Sequence, residues 1–230
     1  MPQLIINTKI ENMKKQILSI ALMAFLATSV VLTGCKKDEE EPTITLTGGA
    51  TQSFDLAEAT DPGATVTDNK DEGLTATSDF ATVVKKNEVN TYTVTYTAED
   101  EAGNKGTATK TIKVKSDKLA GSYDCTDIVS GATNPANNGT WGYSMSITQS
   151  STDYNKILLA NFGGFGTSVS AFATVAGTSI TIPAQALSVP GLGTVNISGT
   201  GQYDGANKKV TSINYTSDGF GNGSVTLVKQ

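Results

Sequence analysis

Few side chains in this 230-residue sequence are equipped for chemistry. There is no histidine and no arginine. The commonest general base, the commonest zinc ligand and the preferred bidentate phosphate binder are therefore missing. The last glutamate is Glu101, and beyond it stand only Asp117, Asp124, Asp127, Asp153, Asp204 and Asp218. Glycoside hydrolysis needs two converging carboxyl groups, one with a raised pKa. Asp124 and Asp127 are the only close pair, and three residues apart on a strand they point to opposite faces. Cys125 lacks the base or positive surroundings that a nucleophilic thiol needs, and reads as a buried strand cysteine. The expectation is a non-enzymatic protein with no cofactor.

Two other sets of residues carry binding chemistry. Asp61, Asp68, Asp71 and Asp100 lie in turn-like sites and offer hard oxygen ligands of the kind calcium takes. The alternative is that they hold turns through side-chain-to-backbone bonds, and no EF-hand spacing is present. The second set is aromatic. Trp141, the only tryptophan, follows N-P-A-N-N-G-T, while Phe165 and Phe220 sit in the glycine-rich stretches N-F-G-G-F-G (161–166) and G-F-G-N-G (219–223). Neither stretch leads into a helical pattern, so neither reads as a phosphate cradle. A flat ring beside Asn and Asp side chains is what a sugar-binding surface needs. Trp141, Phe165, Tyr154 and Phe220 are the candidate glycan contacts, Trp141 first. The alternative is that these rings fill a barrel that has few other large apolar residues.

Charge narrows the partners. The formal net charge is −5. A mildly acidic chain without arginine is a poor fit to nucleic acid, which wants a basic face. It is an equally poor fit to anionic lipid through a polybasic patch.

The elements that would position these residues divide the chain. Lys14 and Lys15 precede an apolar run over 17–32 that is too short to span a bilayer comfortably, and Leu32-Thr33-Gly34-Cys35 ends it. Positive, apolar, then small residues is the layout of a secretory signal. Met13-Lys14-Lys15 has the form of its start, which leaves 1–12 as a mis-called start. Three lysines and one acid precede Cys35, so a chain beginning there has 14 lysines, 21 acids and a charge of −7. Residues 36–42 are a charged tether expected to stay disordered.

From 43 onward the pattern is strands. Short runs rich in Thr, Val, Ile and Tyr alternate with Gly, Asn and Asp turns, which argues for an all-β fold. Acids and lysines thin out near Ser116-Asp117, which places a domain boundary at about 116–119. The first domain, 43–115, carries candidate strands at 44–46, 52–55, 65–67, 74–78, 91–99 and 106–114. In T-Y-T-V-T-Y-T-A, Tyr92, Val94 and Tyr96 fall on one face and the threonines on the other. The second, 119–230, carries eight, at 122–129, 142–149, 155–161, 167–175, 178–184, 194–202, 208–215 and 223–229. Eight strands in that length suggest a small antiparallel barrel or barrel-like sandwich.

These pieces resemble known families. L-T-G-C resembles the lipobox of bacterial lipoproteins, which implies cleavage after Gly34, acylation of Cys35 and membrane attachment through that lipid. Lys37-Asp38-Glu39 directly after it resembles the surface-export signal of Bacteroidetes lipoproteins, which implies an outer-membrane protein facing the exterior. D-P-G-A-T-V-T-D-N, then Y-T-V-T-Y-T-A-E-D-E-A-G-N-K and T-I-K-V, resembles a bacterial immunoglobulin-like module of the hyalin-repeat and pesticidal-crystal-protein type, which implies a β-sandwich spacer without catalytic residues. The opening L-A-G-S-Y of the second domain is similar to the start of lipocalin-like barrels. The whole order of parts resembles Bacteroides surface lipoproteins. That analogy implies that the second domain binds glycan, with an outer-membrane uptake complex as its partner; a structural or adhesive envelope protein that binds other proteins is the alternative.

Overall fold

The computed structural model describes residues 37–230. The proposed signal 13–34, the residues before it and Cys35 lie outside the described residues. The chain divides into two units, Met1–Glu39 and Glu40–Gln230. Lys37, Asp38 and Glu39, the described part of the first, carry neither helix nor strand.

The second unit opens with six strands: β1 (Thr43–Leu46), β2 (Thr51–Phe54), β3 (Ala64–Thr67), β4 (Thr77–Ser78), β5 (Asn90–Glu99) and β6 (Lys105–Val114). β1 pairs with β3, and a four-stranded sheet runs β2-β6-β5-β4. The β5–β6 hairpin is unbroken from Asn90↔Val114 to Glu99↔Lys105. Its period-2 pattern decides its orientation: Tyr92, Val94, Tyr96 and Ala98 are buried, whereas Thr91, Thr93 and Thr97 are exposed. Ile44 and Leu46 from the smaller sheet pack on the same core as Val94, Ile112 and Val114. Two local expectations change. The strand expected over 74–78 shrinks to Thr77–Ser78, and a helical turn, Phe80–Val83, follows it. Pro42, expected in a disordered tether, is buried. Its carbonyl oxygen fills the space in which a side chain on Gly106 would stand, so the ordered chain begins before β1.

Eight longer strands follow: β7 (Gly121–Ser130), β8 (Gly139–Gln149), β9 (Lys156–Ala160), β10 (Ser170–Ala176), β11 (Ser179–Val189), β12 (Gly193–Asp204), β13 (Lys209–Ser217) and β14 (Gly221–Lys229). They form a closed antiparallel barrel in which sequence neighbours are spatial neighbours and β14 returns to β7. Closure removes every unpaired edge. The interior is filled rather than hollow, as expected for eight strands: Met145, Ile147, Leu159, Val175, Ile180 and Val225 are among the residues at or below 1 % exposure. The seam with the shortest ladder is β10–β11, which pairs only over Thr174–Ala176. Beyond it Pro183, without an N–H, sits where the β11 register shifts. The Gln185 side chain completes the ladder there. Its Oε1 accepts the Phe172 N–H at 2.9 Å and its Nε2 donates to the Phe172 carbonyl at 2.8 Å.

The sheet region is docked on the barrel, not hung from it. Tyr203 Oη, on β12, accepts the buried Val89 N–H at 2.7 Å and donates to the Gly177 carbonyl. Gly177 N–H returns a bond to the Val89 carbonyl at 3.0 Å. Gly205 meets the Asn87 carbonyl so closely that a Cβ would collide with it. An ion network surrounds the contact: Asp55 with Lys115 (2.7 Å) and Lys118 (3.2 Å), Glu58 with Lys118 (3.6 Å) and Lys208 (2.9 Å). The Lys115 bond leads the interactions that hold Asp55 well below the ordinary carboxylate range. These pairs are partly exposed and each is worth little. The buried Tyr203 bonds matter more.

Candidate functional site

An up-and-down barrel sends alternate connections to opposite ends. The β8–β9, β10–β11 and β12–β13 connections, which hold Tyr154, Gly177 and Gly205, face the sheet region. The β7–β8, β9–β10 and β13–β14 connections gather at the other end. There they enclose a pocket of about 230 Å³ whose lining includes Asp127, Asn137, Trp141, Phe165, Tyr215 and Phe220.

Each ring is placed by a separate local device. Trp141 continues the inward row of β8 (Ile147, Met145, Tyr143) and pairs in register with Asp127. It stands one step past the interior, so it is half-exposed at the mouth, 49 %. Its Nε1 donates to the Asn137 carbonyl at 3.2 Å. Asn137 in turn lies in a short 3₁₀ turn, Pro135–Asn137, capped by the Asn134 side chain. Phe165 follows a second 3₁₀ turn, Phe162–Gly164, entered through Asn161 in the left-handed region. Asn161 pins that loop: Oδ1 accepts the Gly166 N–H at 2.8 Å and Nδ2 donates to the Ser144 carbonyl at 2.7 Å. Gly163 and Gly164 both have positive φ (63° and 72°), which only glycine adopts cheaply, and they leave their backbone open to the pocket. Phe220 sits at the tip of the β13–β14 turn and meets Phe165 edge to face, with centroids 5.3 Å apart at 75°.

The floor is polar. Asp127 is 1 % exposed. Its Oδ2 accepts the Tyr215 hydroxyl at 2.6 Å, and its Oδ1 has no side-chain partner, with the Ser224 backbone N–H beside the carboxylate. Tyr143 Oη is likewise buried without one. Buried polar atoms are nearly always paired; among the described residues Gln52 Oε1, Asp68 Oδ2 and Asp117 Oδ1 share this condition, but of these atoms only Asp127 Oδ1 belongs to a residue that lines the pocket. Burial raises the Asp127 pKa, and the Tyr215 hydrogen bond opposes that rise. Burial also pushes the Tyr143 and Tyr215 hydroxyls up and the Cys125 thiol to about 12, which keeps that free, buried cysteine protonated. Tyr215 is set by glycine on either side: its register partners are Gly199 and Gly223, and its ring occupies the space over Gly223. Phe162 packs on it edge to face at 5.0 Å.

Three of the four candidate glycan contacts, Trp141, Phe165 and Phe220, thus meet at one pocket. Tyr154 does not. It lies at the docked end, where its hydroxyl accepts from Thr91 Oγ1 at 2.9 Å and its carbonyl accepts the Ser116 N–H at 2.9 Å. Asp127, Asn137, Gly163 and Gly164 are additions. Asp127 was legible, because Tyr123, Cys125 and Asp127 form one inward row on β7 by simple alternation. Asp124, on the other face, is exposed, so the two aspartates do not converge.

The four acids of the sheet region all accept hydrogen bonds. Asp61 accepts from the Tyr96 and Ser78 hydroxyls and from the Gly63 N–H. Asp68 takes the Lys70 and Asp71 N–H groups, Asp71 takes that of Glu101, and Asp100 takes the Asn104 N–H and side-chain amide. A larger concavity, about 530 Å³, lies on the outer barrel wall. It is an open surface of hydroxyl and amide groups that bond one another, such as Ser224 with Asn214 and Ser198 with Thr216.

Residues 44–114 match the family described as bacterial surface protein, Ig-like domain. That stretch spans β1 to β6 and is the one that the D-P-G-A-T and Y-T-V-T-Y-T-A motifs mark. Among solved structures, the lipoprotein BT2262 from Bacteroides thetaiotaomicron is similar at 18 % identity and a TM-score of 0.34, over 82 % of this chain and 100 % of that one. No curated protein matches the chain.

Proposed function

We propose that this bacterial surface Ig-like protein is a lipoprotein of the outer membrane, attached through acylated Cys35 and exported by Lys37-Asp38-Glu39, and that its barrel binds glycan. One observation carries the binding reading. Trp141, Phe165 and Phe220 converge on a pocket with a buried carboxylate and open glycine backbone, at the barrel end turned away from the Ig-like region. Rings supply apolar faces for a sugar, and the polar floor supplies a hydrogen-bonding partner. At about 230 Å³ the pocket is smaller than the roughly 300–1,000 Å³ that encloses a drug-sized ligand, which suits one sugar unit of a chain. The docked Ig-like region then acts as a rigid spacer.

A protein-binding adhesin would favour an exposed apolar patch or an open sheet edge. The large exposed apolar residues, Ile128, Trp141, Leu158, Leu192 and Val228, lie on different strands and turns.

Affinity electrophoresis of the soluble chain 37–230 against a panel of polysaccharides tests the proposal. Retardation by at least one polysaccharide, lost in Trp141→Ala, is the expected result. Mobility unchanged across the panel, or equal retardation of the variant, overturns it. For the address, replacing Lys37, Asp38 and Glu39 by alanine should leave a lipidated protein shielded from protease added to intact cells; unchanged digestion refutes the export reading.

A further inference from the structure

We infer that the pocket is built for a protonated amine, so that the glycan it holds carries free amino sugars. The inference rests on the glycan reading and narrows it.

Three independent features point the same way. The first is the unpaired oxygen. Asp127 lines the pocket, is almost wholly buried, and has one oxygen bonded to Tyr215 and the other without a side-chain donor, the Ser224 backbone N–H being the further group beside the carboxylate. A buried carboxylate without a full set of donors is costly, and a ligand that brings a charged donor removes that cost. The second is the absence of any competing cation among the lining residues. Around Asp127 the ionisable groups are Cys125 on its own strand, Tyr143 on β8 and Tyr215 on β13, all neutral or anionic; β14 contributes Gly223, Val225 and the Ser224 backbone N–H, none of them charged. The third is the ring set. Trp141, Phe165 and Phe220 surround the mouth, and the faces of aromatic rings attract a cation. A neutral hydroxyl would satisfy the oxygen but gain little from the rings. A uronic acid or a sulfate would bring a second negative charge to Asp127.

The arrangement therefore ranks ligands: amine-bearing first, neutral or N-acetylated next, acidic last. N-acetylation is the sharpest comparison, because it removes the charge and keeps the sugar.

Titration calorimetry with short glucosamine oligomers, the same oligomers N-acetylated, gluco-oligomers and oligogalacturonate reads this order on the soluble chain 37–230. The glucosamine oligomer should bind about tenfold tighter than its N-acetylated form, which is about 1.4 kcal/mol, and Asp127→Asn, with an unchanged circular dichroism spectrum, should erase that preference. Because the wild-type ranking needs no variant, the inference stays testable if the variant does not fold. Equal or tighter binding of the N-acetylated or neutral oligomers overturns the amine inference and leaves the glycan reading standing. A preference that survives in Asp127→Asn overturns it too, because the attraction then comes from the acidic surface at large. If no oligomer binds and no polysaccharide retards the protein, both readings fall.

Discussion

Tyr203→Phe deletes one oxygen from the contact between the Ig-like region and the barrel. That oxygen serves the Val89 N–H at 2.7 Å and the Gly177 carbonyl. Val89 is 0 % exposed and Tyr203 6 %, so water cannot replace the lost partner. A neutral hydrogen bond contributes about 0.5–1.5 kcal/mol net, and a buried donor left unpaired costs about 1–3 kcal/mol. The Val89 carbonyl keeps its bond from Gly177 N–H. The expected loss is about 2–4 kcal/mol. For a cooperative unit of this size each kcal/mol moves the midpoint by about 2–4 °C, which gives a fall of roughly 4–16 °C. The assay is thermal and urea unfolding of the chain 37–230, followed by far-ultraviolet circular dichroism and by fluorescence. Trp141 is the only tryptophan and lies in the barrel, so its fluorescence reports that part alone, whereas circular dichroism reports both. In the wild type the two curves should coincide, because the contact couples the parts. In the variant the midpoint should fall and the curves should separate. A wild type with two separate transitions, or a variant within about 0.5 kcal/mol of it, would refute the docked arrangement.

The β10–β11 seam and the pocket floor each yield a further test. Gln185→Ala removes both side-chain bonds to Phe172, so stability should drop by about 1–3 kcal/mol; hydrogen exchange at the Phe172 amide should quicken, and an amide as protected as before would show that the seam closes without Gln185. Asp127 gives a pH dependence with a definite sign. Its folded pKa is raised by burial, so between the unfolded and folded values the native state binds more protons and stability falls as pH rises. Asp127→Asn should flatten that part of the urea-midpoint profile above about pH 4, near the unfolded carboxylate value; an unaltered slope would mean that Asp127 is solvated in the native protein.

How much of this was legible in the sequence depends on the range of the interaction. Tyr92, Val94 and Tyr96 announced a one-sided strand because period-2 alternation is a local signal, and the structure buries that face. The eight barrel strands were visible for the same reason, with ends shifted by a few residues. Pro42 was misjudged because its burial comes from the region of Gly106, far along the chain. Gln185 gave no signal at all, since its role follows from a bulge beside Pro183 and from which strand lies opposite.

The sequence by itself determined the all-β composition, the Ig-like motif and the residue types available for binding, because each is written in neighbouring residues. It also excluded histidine and arginine chemistry outright. Only the tertiary structure decided which aromatic residues share a site. Trp141 lies near the start of β8, Phe165 and Phe220 in two different connections, and Tyr154 in a third looks equivalent in one dimension. Barrel closure with strand β14 returning to β7 sends the first three to one end and Tyr154 to the other. The same closure turns Asp127, half of a close pair whose members point to opposite faces, into a buried carboxylate at the bottom of their pocket, because the inward face of β7 has no water to face.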